Sequence, residues 1–155
     1  MSKEKVHNAP FWRFLFLLYC GTMLWLLFGR VNGWSYGVPY FEQLRRNNSL
    51  IPFYTIGRFL YVLRHPTNAE TTLHCFINLA GNILLFIPAG WLIPKLWAAM
   101  QGYFRFFALC FAGIFLVEVL QLFTLLGVFD IDDIILNLCG LSLGFVCYKL
   151  RHHSQ

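Results

Sequence analysis

The sequence predicts an all-α integral membrane protein: a bundle of four transmembrane helices with a short interfacial helix in the long first loop. Three observations carry this reading. Of 155 residues, 58% are apolar and 19% aromatic, while the 12% that are charged amount to half the roughly 25% of a soluble domain. Four apolar segments reach the roughly 18 residues needed to cross a bilayer. The few polar residues inside them recur three or four apart, the period of one helix face. The length fits a single domain over residues 1–155. Disorder, collagen, coiled coil and an ordinary soluble enzyme are all excluded by this composition.

The first span covers residues 11–28, with Arg13 near enough to its start to snorkel. Lys3, Lys5 and Arg13 ahead of an apolar core give it the look of a signal peptide. Its exit, Gly29-Arg30-Val31-Asn32-Gly33-Trp34, has no small-x-small cleavage site, so it is read as an uncleaved anchor. The loop over residues 29–72 is too long for an inert connection. Within it, residues 55–64 place Ile56, Phe59, Leu60 and Leu63 on one helical face, with Arg58 and Tyr61 on the other. That pattern predicts a helix lying in the interface. Trp34, Tyr36, Tyr40 and Phe41 are candidate headgroup-level anchors. The second span covers about residues 73–91 and ends near Pro94 and Lys95; the third covers 103–129, interrupted by Glu118 and Gln121. The fourth covers 134–150 and is closed by Lys149, Arg151 and two histidines.

The net charge is +5, from 12 Lys and Arg against 7 Asp and Glu. The basic residues sit between apolar runs, with no nucleic-acid recognition motif, so an anionic membrane surface accounts for them and nucleic acid does not. Lys3, Lys5, Arg13, Lys95, Arg105, Lys149 and Arg151 fall on one side; Arg30, Arg45, Arg46, Arg58 and Arg64 fall on the other. The richer side is assigned to the cytoplasm together with both termini, in a multi-pass membrane topology. Cys20, Cys75, Cys110, Cys139 and Cys147 lie in apolar segments without CxxC spacing, as apolar filler does.

Chain direction brings the polar residues together. His74, Asn78 and Asn82 form one stripe on the second span, Glu118, Gln121 and Thr124 one on the third, and Asp133, Asn137, Gly140 and Gly144 one on the fourth. Asp130, Asp132 and Asp133 are placed in the short 3–4 loop. The second and fourth spans start on the side of the long loop and the third ends there. All these groups therefore share one half of the membrane, whichever way the protein is oriented.

Each has a structural and a functional reading. Glu118 is either a packing carboxyl bonded to Asn82 or Asn137, or the centre of a site, the default for an intramembrane carboxyl. Gln121 reads as interhelical glue and Gly140-x-x-x-Gly144 as a close-packing surface, while His74 reads as a solvated or capping residue. The run Asp130-Ile131-Asp132-Asp133 is open to three readings: helix capping, a divalent-cation site holding Mg²⁺ shared with substrate phosphate, or pairing with the loop arginines. Serine-nucleophile, zinc-protease, P-loop and Rossmann motifs are absent. The candidate ligand-binding set is Asn78, Asn82, Glu118, Gln121, Asp130, Asp132, Asp133 and Asn137, with Arg58 and Arg64 from the loop. Glu118 and Asp133 are the candidate acid–base pair if the protein is an enzyme.

The order Asn78-x-x-Gly81-Asn82, Phe86-x-Pro88-x-Gly90, Glu118-x-x-Gln121 and Phe129-Asp130-Ile131-Asp132-Asp133, then Asn137 and Gly140, resembles the VanZ-like membrane protein family. Upstream, Leu50-Ile51-Pro52-Phe53-x-Thr55-Ile56 resembles that family's first loop, so the likeness covers about residues 48–146. The resemblance implies a small multi-helix bacterial protein linked to teicoplanin resistance. One departure is that the family places a basic residue before the acidic motif, where this chain has Leu126-Gly127-Val128.

Two functions follow as expectations. One is a cell-envelope protein that binds an anionic or amphiphilic ligand, with membrane lipids, a lipid-linked envelope precursor or a lipoglycopeptide as partner. The other is a membrane enzyme acting on a lipid-linked phosphate through an Asp-held cation. A homo-oligomer is compatible with either. The topology is testable: in a background lacking the native cysteines, Ser49→Cys is expected to react with an impermeant thiol reagent in intact cells. Protection would reverse the orientation.

Overall fold

In hydrocarbon every backbone N–H and C=O must find its partner within the protein, and a helix does this segment by segment. The computed structural model describes residues 9–29, 35–66 and 68–153. Lys3, Lys5, Arg30 and Trp34 therefore lie outside the described residues. In chain order the elements are α1 (Ala9–Phe28), α2 (Tyr40–Arg46), β1 (Asn48–Ser49), α3 (Tyr54–Arg64), α4 (Ala69–Leu96), α5 (Tyr103–Thr124), β2 (Phe129–Asp130) and α6 (Ile131–His153). A 3₁₀ turn at Ala98–Met100 joins α4 to α5. Four helices, α1, α4, α5 and α6, are long and apolar enough to cross a membrane. The interfacial helix is α3, with Arg58 and Tyr61 exposed and Ile56, Phe59 and Leu63 half-buried; Leu60 is exposed.

The boundaries differ from the sequence reading in three places. Helix α4 continues through Pro88 and Pro94 to Leu96, because a proline in a spanning helix costs little where neighbours supply the missing contacts. Helix α5 stops at Thr124, not at 129, where Leu125 takes a left-handed conformation at φ 55° and is 1% exposed. That conformation is a common helix stop. Helix α6 starts at Ile131, so Asp132 and Asp133 belong to its first turn, and only Asp130 lies in the connection. The pairing of β1 with β2 and the short helix α2 have no counterpart in the sequence reading.

Helix α6 is the central element: half of its span is buried, against 6% for α1. It packs backbone to backbone on α4. A Cβ at Gly140 would lie 2.2 Å from the Ile83 carbonyl oxygen, and one at Gly144 would lie 2.1 Å from that of Ile87. On the facing helix, a Cβ at Gly90 would lie 2.2 Å from the Leu141 carbonyl oxygen. Small residues let spanning helices approach closely and gain dispersion contact where no hydrophobic drive exists. Around this seam lies the core of Phe106, Ile114, Phe129, Leu141 and Phe145, with the Phe106 and Phe145 rings 4.8 Å apart.

Helix α1 lies at the edge. Tyr19 donates its hydroxyl to the Leu85 carbonyl at 2.9 Å. Trp12 meets Trp91, and Lys95 places its ammonium 3.4 Å from the Trp12 ring and 4.0 Å from that of Trp91. The five cysteines are free.

The seam makes a direct prediction. Gly144→Ala must force α4 and α6 apart, and thermal melting in detergent is expected to show a loss of about 1–3 kcal/mol. Gly113→Ala, whose Cβ meets nothing within 4 Å, is expected to melt at or slightly above the wild type.

Candidate functional site

The long first loop folds back over the start of α6. Backbone pairing sets the register: β1 runs parallel to β2, with Asn48 opposite Phe129 and Ser49 opposite Asp130. The Phe129 N–H adds a bond to the Asn47 carbonyl at 3.1 Å. Asn48 donates its side-chain amide to the carbonyls of Leu44 and Arg45, closing the end of α2. Buried Gln43 ties the preceding stretch, accepting from the Ser35 N–H at 2.9 Å and donating to the Val38 carbonyl at 2.7 Å. Tyr40, an expected headgroup anchor, donates its hydroxyl to the Phe123 carbonyl near the end of α5. Tyr36 and Phe41 are exposed.

The acidic run organises this end of the bundle. Asp132 has no exposed surface. One of its carboxylate oxygens accepts the Phe53 N–H at 2.5 Å and the other accepts the Ile56 N–H at 2.9 Å. These amides belong to the first turn of α3, whose own N-cap residue, Phe53, offers no side-chain acceptor. Asp132 thus supplies the cap from a different helix, where a carboxylate also complements the helix dipole. Phe53 sits at φ 64°, a left-handed conformation costly for an aromatic residue, and its N–H is held there by Asp132.

Asp130 works in two directions. Its Oδ1 accepts the Asp132 N–H at 2.8 Å, capping α6, and its Oδ2 accepts the Thr55 hydroxyl at 2.6 Å. Its own N–H donates to Glu118 Oε2 at 3.2 Å. Asp133 Oδ1 accepts the Asn82 side-chain amide at 2.5 Å. The structure therefore pairs Glu118 with a backbone N–H, and not with Asn82 or Asn137, the partners its packing reading named. Gln121 donates to the Leu27 carbonyl at 2.9 Å, joining α5 to the end of α1 as interhelical glue.

Other expected members stand apart. Asn78 is half-buried. His74, outside the candidate set and read as a solvated or capping residue, is exposed. Asn137 is 3% exposed, and its Oδ1 has no hydrogen-bond partner. Arg58 and Arg64 form no ion pair with the acidic run: both are exposed, and the one ion pair among the described residues joins Arg46 to Glu42. The expected pairing of the aspartates with loop arginines is thus absent there. The three aspartates face different partners, and among the described residues no group of three His, Cys, Asp or Glu is arranged to hold a metal ion.

Sequence reading missed Thr55 and the Phe53 and Ile56 amides. The signal lay in the run Leu50-Ile51-Pro52-Phe53-x-Thr55-Ile56, which carries all three.

Four spanning helices and an acidic turn bonded to an interfacial helix define a multi-pass membrane protein with a structured polar end. The chain belongs to the VanZ/LLP1 family, whose profile matches residues 16–152. Protein VanZ of Enterococcus faecium is 27% identical over 146 residues, covering 92% of this chain and 78% of that protein. No solved structure gives a significant match.

Removing the cap has a local readout. Asp132→Ala is expected to cost about 1–3 kcal/mol and to speed hydrogen exchange at the Phe53 and Ile56 amides. Asp132→Asn, which keeps one acceptor oxygen, is expected to fall between. Unchanged exchange in Asp132→Ala would contradict the cap.

Proposed function

We propose that this protein is a bacterial cell-envelope membrane protein that lowers susceptibility to lipidated glycopeptides such as teicoplanin. It does so by holding an anionic or amphiphilic envelope ligand at the polar end of the bundle. The observation that carries this reading is the state of α3. Arg58 and Arg64 are exposed on an amphipathic helix with no carboxylate partner among the described residues, while Asp132 fixes that helix over the bundle. Arginine forks match phosphate and carboxylate geometry, and a basic interfacial helix is drawn to anionic lipid. The kinship with Protein VanZ supports the glycopeptide link.

In this account both termini are cytoplasmic, so α3 and the acidic turn face the outside of the plasma membrane. Glycopeptides act there. Teicoplanin differs from vancomycin in its acyl tail, which suits recognition at membrane level. Glu118, Asp133 and Asn82 hold the polar floor beneath α3, and the arginines supply the charge that meets the ligand.

Susceptibility of a Gram-positive host at matched protein levels tests the reading. Wild type is expected to raise the inhibitory concentration of teicoplanin severalfold and leave that of vancomycin unchanged. Glu118→Gln, Asp133→Asn and the double variant Arg58→Gln with Arg64→Gln are expected to lose most of that protection. Equal protection against vancomycin, or full protection by all variants, would contradict it.

A further inference from the structure

The end of the bundle opposite the long loop has a chemistry of its own. The starts of α1 and α5 and the ends of α4 and α6 lie there. This end carries Arg13, Lys95, Arg105, Lys149 and Arg151 and no carboxylate among the described residues, because Glu42, Glu70, Glu118, Asp130, Asp132 and Asp133 all lie in the loop half. A helix C-terminus favours cations, which accounts for charge at the ends of α4 and α6 but not for the way one of these charges is held. The Lys95 ammonium sits 3.4 Å from the centre of the Trp12 ring and 4.0 Å from that of Trp91. The two indoles meet edge to face with centroids 5.1 Å apart, so they wall it on two sides. A lysine at a membrane boundary ordinarily extends its head freely into water. Lys95 is instead half-buried, and close enough to Arg151 for the two charges to repel. No oxygen among the described residues accepts from its ammonium or from the Arg151 guanidinium. Two like charges held in this way are stabilised by an anion that both can reach. Arg151 stands roughly 30 Å along α6 from Ile131 at 1.5 Å per residue, matching a hydrocarbon core about 30 Å thick. That sets the pair at the level of lipid phosphates. The same helix ends expose Phe11 and Phe14 on α1 and Val146 and Leu150 on α6, a surface on which acyl chains can lie.

We propose that Lys95 and Arg151, walled by Trp12 and Trp91, bind the phosphate of one anionic phospholipid from the leaflet opposite the long loop. Arginine offers phosphate two parallel N–H groups, and lysine adds a point charge. The exposed apolar neighbours favour a lipid over free phosphate. Trp12 belongs to α1, the least buried span, so the bound lipid fastens that helix to α4 and α6. The site lies at the other end of the bundle from α3 and does not depend on the ligand proposed there.

Native mass spectrometry of the full chain in detergent tests it, with phosphatidylglycerol and phosphatidylcholine of identical chains titrated in turn. Wild type is expected to retain one phosphatidylglycerol in preference to phosphatidylcholine. Lys95→Gln with Arg151→Gln is expected to lower that preference about tenfold to thirtyfold, the scale of two charges at an anionic surface. Arg105→Gln with Lys149→Gln removes the same charge from the same end and is expected to keep the preference. Arg151 is exposed, so Arg151→Gln alone leaves the packing intact. It is expected to lower the preference about fivefold, which keeps the test decisive if the double variant does not fold. Equal loss in the two double variants would mean diffuse attraction by net charge, and overturns the site. So does equal retention of the two lipids by wild type, or an unchanged preference in Arg151→Gln. Inorganic phosphate in millimolar excess is expected to leave the lipid bound. Displacement by it overturns the lipid as occupant and assigns the pair to a free anion.

Discussion

Asp132 is a carboxylate with no exposed surface, and each of its oxygens holds an amide of a helix that begins 78 residues earlier in the chain, at Tyr54. Much of the loop end follows from that contact. It fixes where α3 starts, holds Phe53 in a left-handed conformation and brings Thr55 within reach of Asp130. The parallel pairing of Asn48 and Ser49 with Phe129 and Asp130 secures the same junction from the backbone side. A carboxylate is suited to this task because it offers two acceptors to the positive end of a helix, and such bonds are stronger than neutral ones.

A second constraint acts from below. Gly90, Gly140 and Gly144 let α4 and α6 touch through their backbones, and that contact sets how far one helix is shifted along the other. With the register fixed, Asn82 reaches Asp133. Together the seam and the Asp132 bond turn a set of acidic side chains into a junction of four elements. Glu118 closes it from α5 by accepting the Asp130 N–H. The same assembly leaves Asn137 buried with its side-chain oxygen unbonded.

The four spans were legible because their composition and length leave the backbone no other solution in lipid. The shared polar half was legible too, since helical spacing and chain direction determine it. Gly140 and Gly144 could be read as a packing surface, though their partner Gly90 could not, because its facing helix is set by tertiary packing. The roles within the acidic run stayed open for a physical reason. Capping, cation binding and ion pairing all ask for carboxylates, and the choice among them depends on groups distant in sequence. Only the folded chain reveals that Asp132 faces the Phe53 and Ile56 amides. Tyr40 illustrates the same limit, with its aromatic ring suggesting an interface anchor while its hydroxyl ties α2 to α5. Elements of two to seven residues, such as β1, β2 and α2, carry too little pattern to be read alone.

The central claim is that the long loop docks on the acidic turn and so builds the polar end. Paired cysteines at the strand register test it most directly, in a chain whose native cysteines have been replaced. Asn48→Cys with Phe129→Cys places the two Cα atoms opposite each other in a paired ladder, a geometry a disulfide can bridge. The account predicts rapid oxidation to an intramolecular crosslink in membranes, while a control pair outside the ladder, Leu50→Cys in the loop with Phe14→Cys in α1, stays reduced. Failure of the first pair to crosslink, or equal crosslinking of both, would mean that the loop does not rest on the turn.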